Sequence, residues 1–389
     1  MPTPSPTPVP ITELRLWHWP DTPAKDAHLQ SLVAAFQQTE PTIAVEVVKQ
    51  SNYTRRLRTA LGNDRPPDVL YLNSAQLPDL IADGAVASLP FTVTNDTELY
   101  PHLRAAVQVD GHAYCAPDAF HTLALFYNQE LFDTAAVPYP TAEWRWEDLR
   151  NAAEQLTNAD SGQYGLVLTA DLSRWLPFLY QAGGTLLTAD GSALAINSPE
   201  AGVALDYYTA LVLDGFAATP AIVDSRWAGE AFAGARVAMM IEGTWAIPYL
   251  AENSPALHYG IVPLPAGPAG SATVSFSTCY AITNASPNQT AAAKLVAFLT
   301  ATPQLESWLP IDNAIPARPQ LAALWQTTHP NEEKILTEIT VATEWQLPPG
   351  FQPWVDETNE RIRQVFGGFI PADIVLPAVE TTGNAILTP

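Results

Sequence analysis

The chain has 389 residues, of which 47% are hydrophobic and 15% charged, and a formal net charge of −22. That length exceeds one ordinary core, so two lobes are expected. The acidic balance argues against nucleic acid and anionic membrane surfaces as partners, because both need a basic patch, and it favours neutral or cationic ligands.

Residues 1–10 (MPTPSPTPVP) form a Pro/Thr/Ser tract that reads as a disordered, extended linker. It is expected either to have followed a removed export signal and lipid-anchored cysteine, or to be an ordinary disordered terminus. No apolar run is long enough to span a membrane, and no signal peptide is present.

Thr12–Trp19 reads as a first strand, with Trp17 and Trp19 on one side by period-two alternation. Thr22 and Pro23 predict a helix start, and Leu29, Leu32, Val33 and Phe36 give that helix one apolar face. Ile43–Val48 and Val69–Leu72 read as the next strands, separated by a basic helix after Ser51-Asn52-Tyr53. Strand, helix, strand, helix, strand predicts a parallel sheet. Polar or aromatic residues follow each strand: Trp19 and Asp21, Asn52 and Tyr53, Asn73 and Ser74. An open α/β sheet places its ligand groups at such positions.

Gly111–Asn128 reads as two extended pieces broken by the polar segment Asp118–Thr122, a pattern suited to a strand passing between two sheets. A helix is predicted over Trp146–Leu156, then a strand at Tyr164–Leu168 followed by Asp171, Arg174 and Trp175. Ser198-Pro199 opens another helix. Val237–Ile241 is a short apolar run that stops at Glu242-Gly243 and is followed at once by Trp245. Such a run ending in a glycine turn and a large aromatic reads as the lip of a cleft, or as a tryptophan covering the core below it. A strand is expected near Tyr259–Pro263. Val274–Thr283 is again extended, and Ser286-Pro287 predicts a helix start. The last third reads as helical, with connections carrying Trp308, Trp325, Trp345 and Trp354.

No catalytic pattern is present: no phosphate loop, no dinucleotide fingerprint, no nucleophile elbow and no histidine or cysteine metal cluster. No catalytic residue, metal or cofactor is therefore expected. Asn-x-Ser/Thr triplets at Asn52, Asn95, Asn284 and Asn288 are short enough to arise by chance. The two cysteines, Cys115 and Cys279, are either free buried residues or one disulfide. What the chain has in excess is aromatic surface, 11 Trp and 13 Tyr. Aromatic faces against the apolar face of a sugar, with polar side chains on its hydroxyls, make a saccharide site.

Four blocks carry a family resemblance. Leu123–Asp133 (LALFYNQELFD) leads to Trp146-Glu147-Asp148-Leu149. Ala233–Ile247 contains AMMIEGTW. Pro67–Leu70 reads PDVL. Gly260–Leu264 and Thr278–Ile282 are followed by Ser-Pro-Asn at 286–288. In this order the chain resembles the extracellular solute-binding proteins of ABC importers, family 1, the maltose-binding-protein-like carbohydrate-uptake type.

The resemblance implies an α/β, two-lobe, periplasmic-binding-protein-like fold of type II. Each lobe is a mainly parallel sheet flanked by helices, and a multi-strand hinge joins them. It implies an N-terminal lobe of residues 11–117 and 280–322 and a C-terminal lobe of 118–279 and 323–389. The hinge falls near 115–122, 274–281 and 313–326. Cys115 and Cys279 then fall on neighbouring hinge-side strands, where a disulfide becomes a specific expectation.

The strand-end reading and the resemblance together give the candidate ligand set Trp19, Asp21, Asn52, Tyr53, Asn73, Gln76, Asp118, His121, Asp171, Arg174, Trp175, Glu242, Trp245, Asn313 and Trp354, with Glu242 either taking a ligand hydroxyl or capping the turn. Trp245 matches the aromatic that stacks on sugar, and Trp354 a second one. His121 and Leu72 depart from the maltose-binder pattern, so the resemblance implies a carbohydrate without specifying maltose.

The implied function is capture of a mono- or oligosaccharide between the lobes and delivery to an ABC permease. The protein would be a monomer, extracellular or periplasmic, tethered by an N-terminal lipid anchor, with no nucleic-acid partner. Two other readings stand beside it. A polyamine-like cationic solute would suit the acidic charge and the aromatics. A glycan-active enzyme would need paired carboxylates, for which Asp21, Asp118, Asp171 and Glu242 are the candidates.

Overall fold

A computed structural model describes residues 10–62, 66–90 and 99–387. The linker up to residue 9 and the Asn95 triplet lie outside the described residues. In chain order the strands are β1 (Thr12–His18), β2 (Ile43–Lys49), β3 (Val69–Asn73), β4 (Gln108–Val109), β5 (His112–Ala113), β6 (Ala116–Asn128), β7 (Tyr164–Val167), β8 (Ala217–Ala218), β9 (Val237–Gly243), β10 (Tyr259–Val262), β11 (Thr273–Ile282), β12 (Ile315–Pro316) and β13 (Ala342–Glu344). The chain divides into two compact units, residues 1–120 with 277–328, and 121–276 with 329–389. The expected lobe boundaries lie three to six residues from these.

In the first unit β1 is central and pairs in parallel with β2 and β3. The connecting helix Pro23–Thr39 starts as its sequence dictates: the Thr22 hydroxyl accepts the Lys25 N–H, and Leu29, Leu32, Val33 and Phe36 are buried. β11 pairs antiparallel with β3, placing Cys279 opposite Leu72. Cys115 and Cys279 form a disulfide with a Cα–Cα distance of 5.7 Å, and both are fully buried beside Leu72 and Leu77.

In the second unit β9 pairs in parallel with β7 and antiparallel with β6, while β8 extends the sheet beyond β7 and β10 pairs with β6. All seven residues of β9 are buried. The helices Trp146–Leu156, Leu172–Gln181, Pro199–Leu213 and Gln352–Phe366 cover the core.

Each unit holds the expected parallel strands flanked by helices, with antiparallel strands beside them. Strands joined by helical crossovers run parallel, whereas β6 and β11, which carry the chain from one unit to the other, run against their neighbours. β6 has no break at Asp118–Thr122. It is one strand of 13 residues, in which the polar Asp118 and His121 find partners inside the fold. The Ser286-Pro287 pair does not start its helix, which runs Gln289–Leu299. The Ser286 hydroxyl instead donates to the buried Asp68 and accepts the Asn288 N–H. Trp308, Trp325 and Trp354 lie within helices rather than in connections.

Candidate functional site

Each unit gathers its own group of polar and aromatic side chains at the ends of its central strands. In the first unit the group surrounds a pocket lined by His18, Asp21, Lys25, Tyr71, Asp118, Tyr280, Trp308 and Asp312 among others. β1 ends at His18, and Pro20 stops it, which delivers His18, Trp19 and Asp21 together. Period-two alternation along β3 buries Leu70 and Leu72 on one side and turns Tyr71 to the other. Tyr71 stacks face to face with His18, with centroids 4.3 Å apart and an interplanar angle of 5°. Trp19 packs 4.5 Å from Tyr71 and edge-on to Tyr53 at 5.7 Å.

Asp118 is the buried acid of this cavity. Its Oδ2 accepts the Tyr71 hydroxyl at 3.0 Å and its Oδ1 the Thr278 hydroxyl at 2.7 Å. Burial pushes its carboxyl up to about 6 against the pull of those two hydrogen bonds, and Asp312 adds to the rise. Lys25 pairs with Asp312 at 2.9 Å and reaches Asp21 at 3.7 Å.

In the second unit the group forms around Trp245, directly after β9. The partly buried indole lies against Gly243, where a Cβ would fall 2.2 Å from a ring carbon, so only glycine leaves room for the ring. This is the reason for Gly243, in place of the sharp turn expected of it: it is the last residue of β9, and its φ is not positive. Trp245 Nε1 donates to Glu242 Oε2 at 3.1 Å, and Arg174 Nη2 donates to the same oxygen at 2.8 Å. The Arg174 guanidinium lies 5.3 Å from the Trp245 ring and 5.6 Å from the Phe276 ring. Phe276 and His121 meet the indole edge-on at 5.2 and 5.5 Å, and His121 Nδ1 is 2.5 Å from the Thr244 hydroxyl. Burial alone would lower the Arg174 pKa; the charges of Glu242 and Asp171 outweigh it and raise it.

The fifteen candidate residues therefore separate. Trp19, Asp21 and Asp118 come together in the first unit, and His121, Arg174, Glu242 and Trp245 in the second. Asp171 accepts the Ser173 N–H and hydroxyl at the start of its helix. Asn73 and Gln76 cap one another's backbone, and Gln76 also donates to Thr54. Asn52 is exposed, with φ 54°, and makes no side-chain cap. Asn313 is half-buried between the cavity-lining Asp312 and Ala314.

Three candidates are core residues instead. Tyr53 is buried, with its hydroxyl 3.3 Å from Trp17 O. Trp175 is 1% exposed, because one helical step beyond Arg174 points inward. Trp354 is 1% exposed and donates its indole N–H to Val379 O of the neighbouring helix.

Sequence reasoning missed His18, Lys25, Tyr71, Trp308, Asp312 and Phe276. Two carried a readable signal. His18 sits between two tryptophans at a strand end, and Tyr71 alternates with the apolar pair Leu70 and Leu72.

Comparisons with known proteins bear on this geometry. The family described as bacterial extracellular solute-binding protein matches residues 19–306. A Brucella abortus protein described as a binding protein is 23% identical over 375 residues, covering 92% of this chain and 90% of its own length. A maltooligosaccharide ABC transporter solute-binding lipoprotein of Streptococcus pneumoniae is 26% identical over 270 residues, covering 64% of this chain and 60% of its own. Among solved structures, an ABC substrate-binding protein of Listeria monocytogenes in complex with cycloalternan superposes with a TM-score of 0.87 at 24% identity. It covers 97% of this chain and 99% of that one, so the same fold runs through both.

Proposed function

The chain belongs to the family of bacterial extracellular solute-binding proteins, and on that premise we propose that it captures a carbohydrate and hands it to an ABC permease. The observation that carries this reading is the Trp245 group. A partly exposed indole at the C-terminal end of a buried strand is held by neighbours on several sides, which suits stacking on the apolar face of a sugar. The first unit's cavity supports it, with aromatic rings beside acceptors that can take hydroxyl hydrogen bonds. The S. pneumoniae relative named above is a maltooligosaccharide-binding protein, and it too favours a saccharide.

The protein works outside the cytoplasm in this reading. The buried Cys115–Cys279 disulfide suits an oxidising compartment. No helix among the described residues is long and apolar enough to cross a membrane. Tethering through a lipid, as in the S. pneumoniae lipoprotein, is part of the proposal.

A thermal-shift screen of mono- and oligosaccharides against polyamines and amino acids tests it. At least one saccharide should raise the Tm in a concentration-dependent way. Trp245→Ala should weaken that saccharide by about tenfold or more in calorimetry, the equivalent of about 1.4 kcal/mol, while the variant's own Tm stays within a few degrees. A response to polyamines alone would replace the carbohydrate reading with the cationic one.

A further inference from the structure

Glu242 is only 2% exposed, so its carboxylate is turned away from solvent. It nevertheless sits at the centre of the second unit's group, because a single oxygen, Oε2, accepts from both Trp245 Nε1 and Arg174 Nη2. We propose that Glu242 is a positioning residue for ligand capture: it fixes the orientation of the Trp245 indole without touching the ligand, and Arg174 is the counter-charge that keeps it an acceptor. This inference rests on the carbohydrate reading above.

The contacts on Trp245 show why a single oxygen matters. Gly243 clears the space the ring lies against, and Phe276 and His121 meet it edge-on. Those contacts are apolar or weakly directional, and they would tolerate rotation of the ring about its stem, where the torsional preference is broad. The Nε1–H to Oε2 bond is the directional contact, and it selects one of the two ring faces for presentation. A ring held in its bound orientation spares the cost of ordering it when ligand arrives.

The same oxygen needs Arg174. A carboxylate this deeply buried would be an uncompensated charge without a cation beside it. The Arg174 guanidinium satisfies it at 2.8 Å while packing against the Trp245 and Phe276 rings, so the counter-charge and the ring stack are one side chain. Asp171, three residues earlier, adds a second negative charge that favours the Arg174 cation in its buried place.

The test is a double-mutant cycle read by calorimetry, using the saccharide that gives the largest thermal shift with the wild-type protein. Glu242→Gln should weaken binding about tenfold in the wild-type background. In a Trp245→Phe background, which keeps a stacking ring but has no N–H to orient, it should weaken binding less than twofold. Equal losses in both backgrounds, or none in either, would overturn the proposal.

Near-UV circular dichroism gives a second readout that does not depend on a ligand. The difference between wild type and Trp245→Phe reports the fixed asymmetry of the indole, and Glu242→Gln or Arg174→Met should erase most of that difference. A difference that survives in both variants sinks the positioning role. If no saccharide binds the wild-type protein, the carbohydrate reading fails on that ground, and the spectroscopic comparison still decides whether Glu242 orients the ring.

Discussion

Neighbouring residues in this chain often have opposite fates, and the physical reason is the period of the element that carries them. Arg174 reaches the Trp245 group while Trp175, one helical step on, is packed in the core. Tyr71 faces the cavity while Leu70 and Leu72 face the disulfide. Trp245 was legible because it follows the end of a buried strand, where a large aromatic has few other reasons to be. Trp354 was misread because a helix hides its inward residues from any motif: its indole is aimed at Val379 O, close to where a side chain on Gly383 would stand.

Glu338 gives a prediction at the same scale. It is 2% exposed, its Oε2 has no hydrogen-bond partner among the described residues, and burial pushes its carboxyl up to about 8. Below the ordinary glutamate value of 4.5, both folded and unfolded chains hold the proton. Between that value and about 8 only the folded chain holds it, so stability falls as pH rises across this window, with a slope of at most about 1.4 kcal/mol per pH unit. Glu338→Gln removes the titration. Thermal melts should therefore show the variant gaining on wild type steadily from pH 5 to pH 8, and a constant difference would exclude Glu338 as the source.

At the scale of elements, the long strands were recognisable as chain crossings, but the break expected in β6 is absent. A polar run inside a strand looks like an interruption when the partners are unseen. Here Tyr71 and Thr278 satisfy Asp118, and Thr244 satisfies His121, so the ladder continues. The two crossing strands are also where the disulfide sits: Cys115 just precedes β6, and Cys279 is within β11. The cysteines are 164 residues apart in sequence, and closing so long a loop is worth about 3–5 kcal/mol when the chain is unfolded. Replacing both cysteines by alanine should lower the calorimetric Tm by several degrees while leaving the far-UV spectrum native. A variant melting at the wild-type temperature would mean that strand pairing alone closes the loop.

At the scale of the whole molecule, the division into two units follows from length and from the order of the strand and helix patterns. The direction of the crossing strands was not legible, because strand polarity depends on where a returning segment docks, and that is set by contacts far apart in sequence. The grouping of the candidate residues was half legible for a related reason. Residues that follow a strand announce themselves, whereas Trp308 and Asp312 reach the first unit's cavity from a segment nearly 300 residues downstream of β1.

The position of the disulfide also changes what a single cut in the chain would do. Residues 116–278, including the whole first segment of the second unit, lie inside a covalent ring closed by sulfur. A protease nick anywhere within that ring opens it without dividing the molecule. Nicked protein should run as one species on a non-reducing gel and separate into two fragments only after thiol is added, whereas a cut outside the ring releases its fragment either way. The bond turns a severed backbone inside the ring into an injury that leaves the pieces covalently joined.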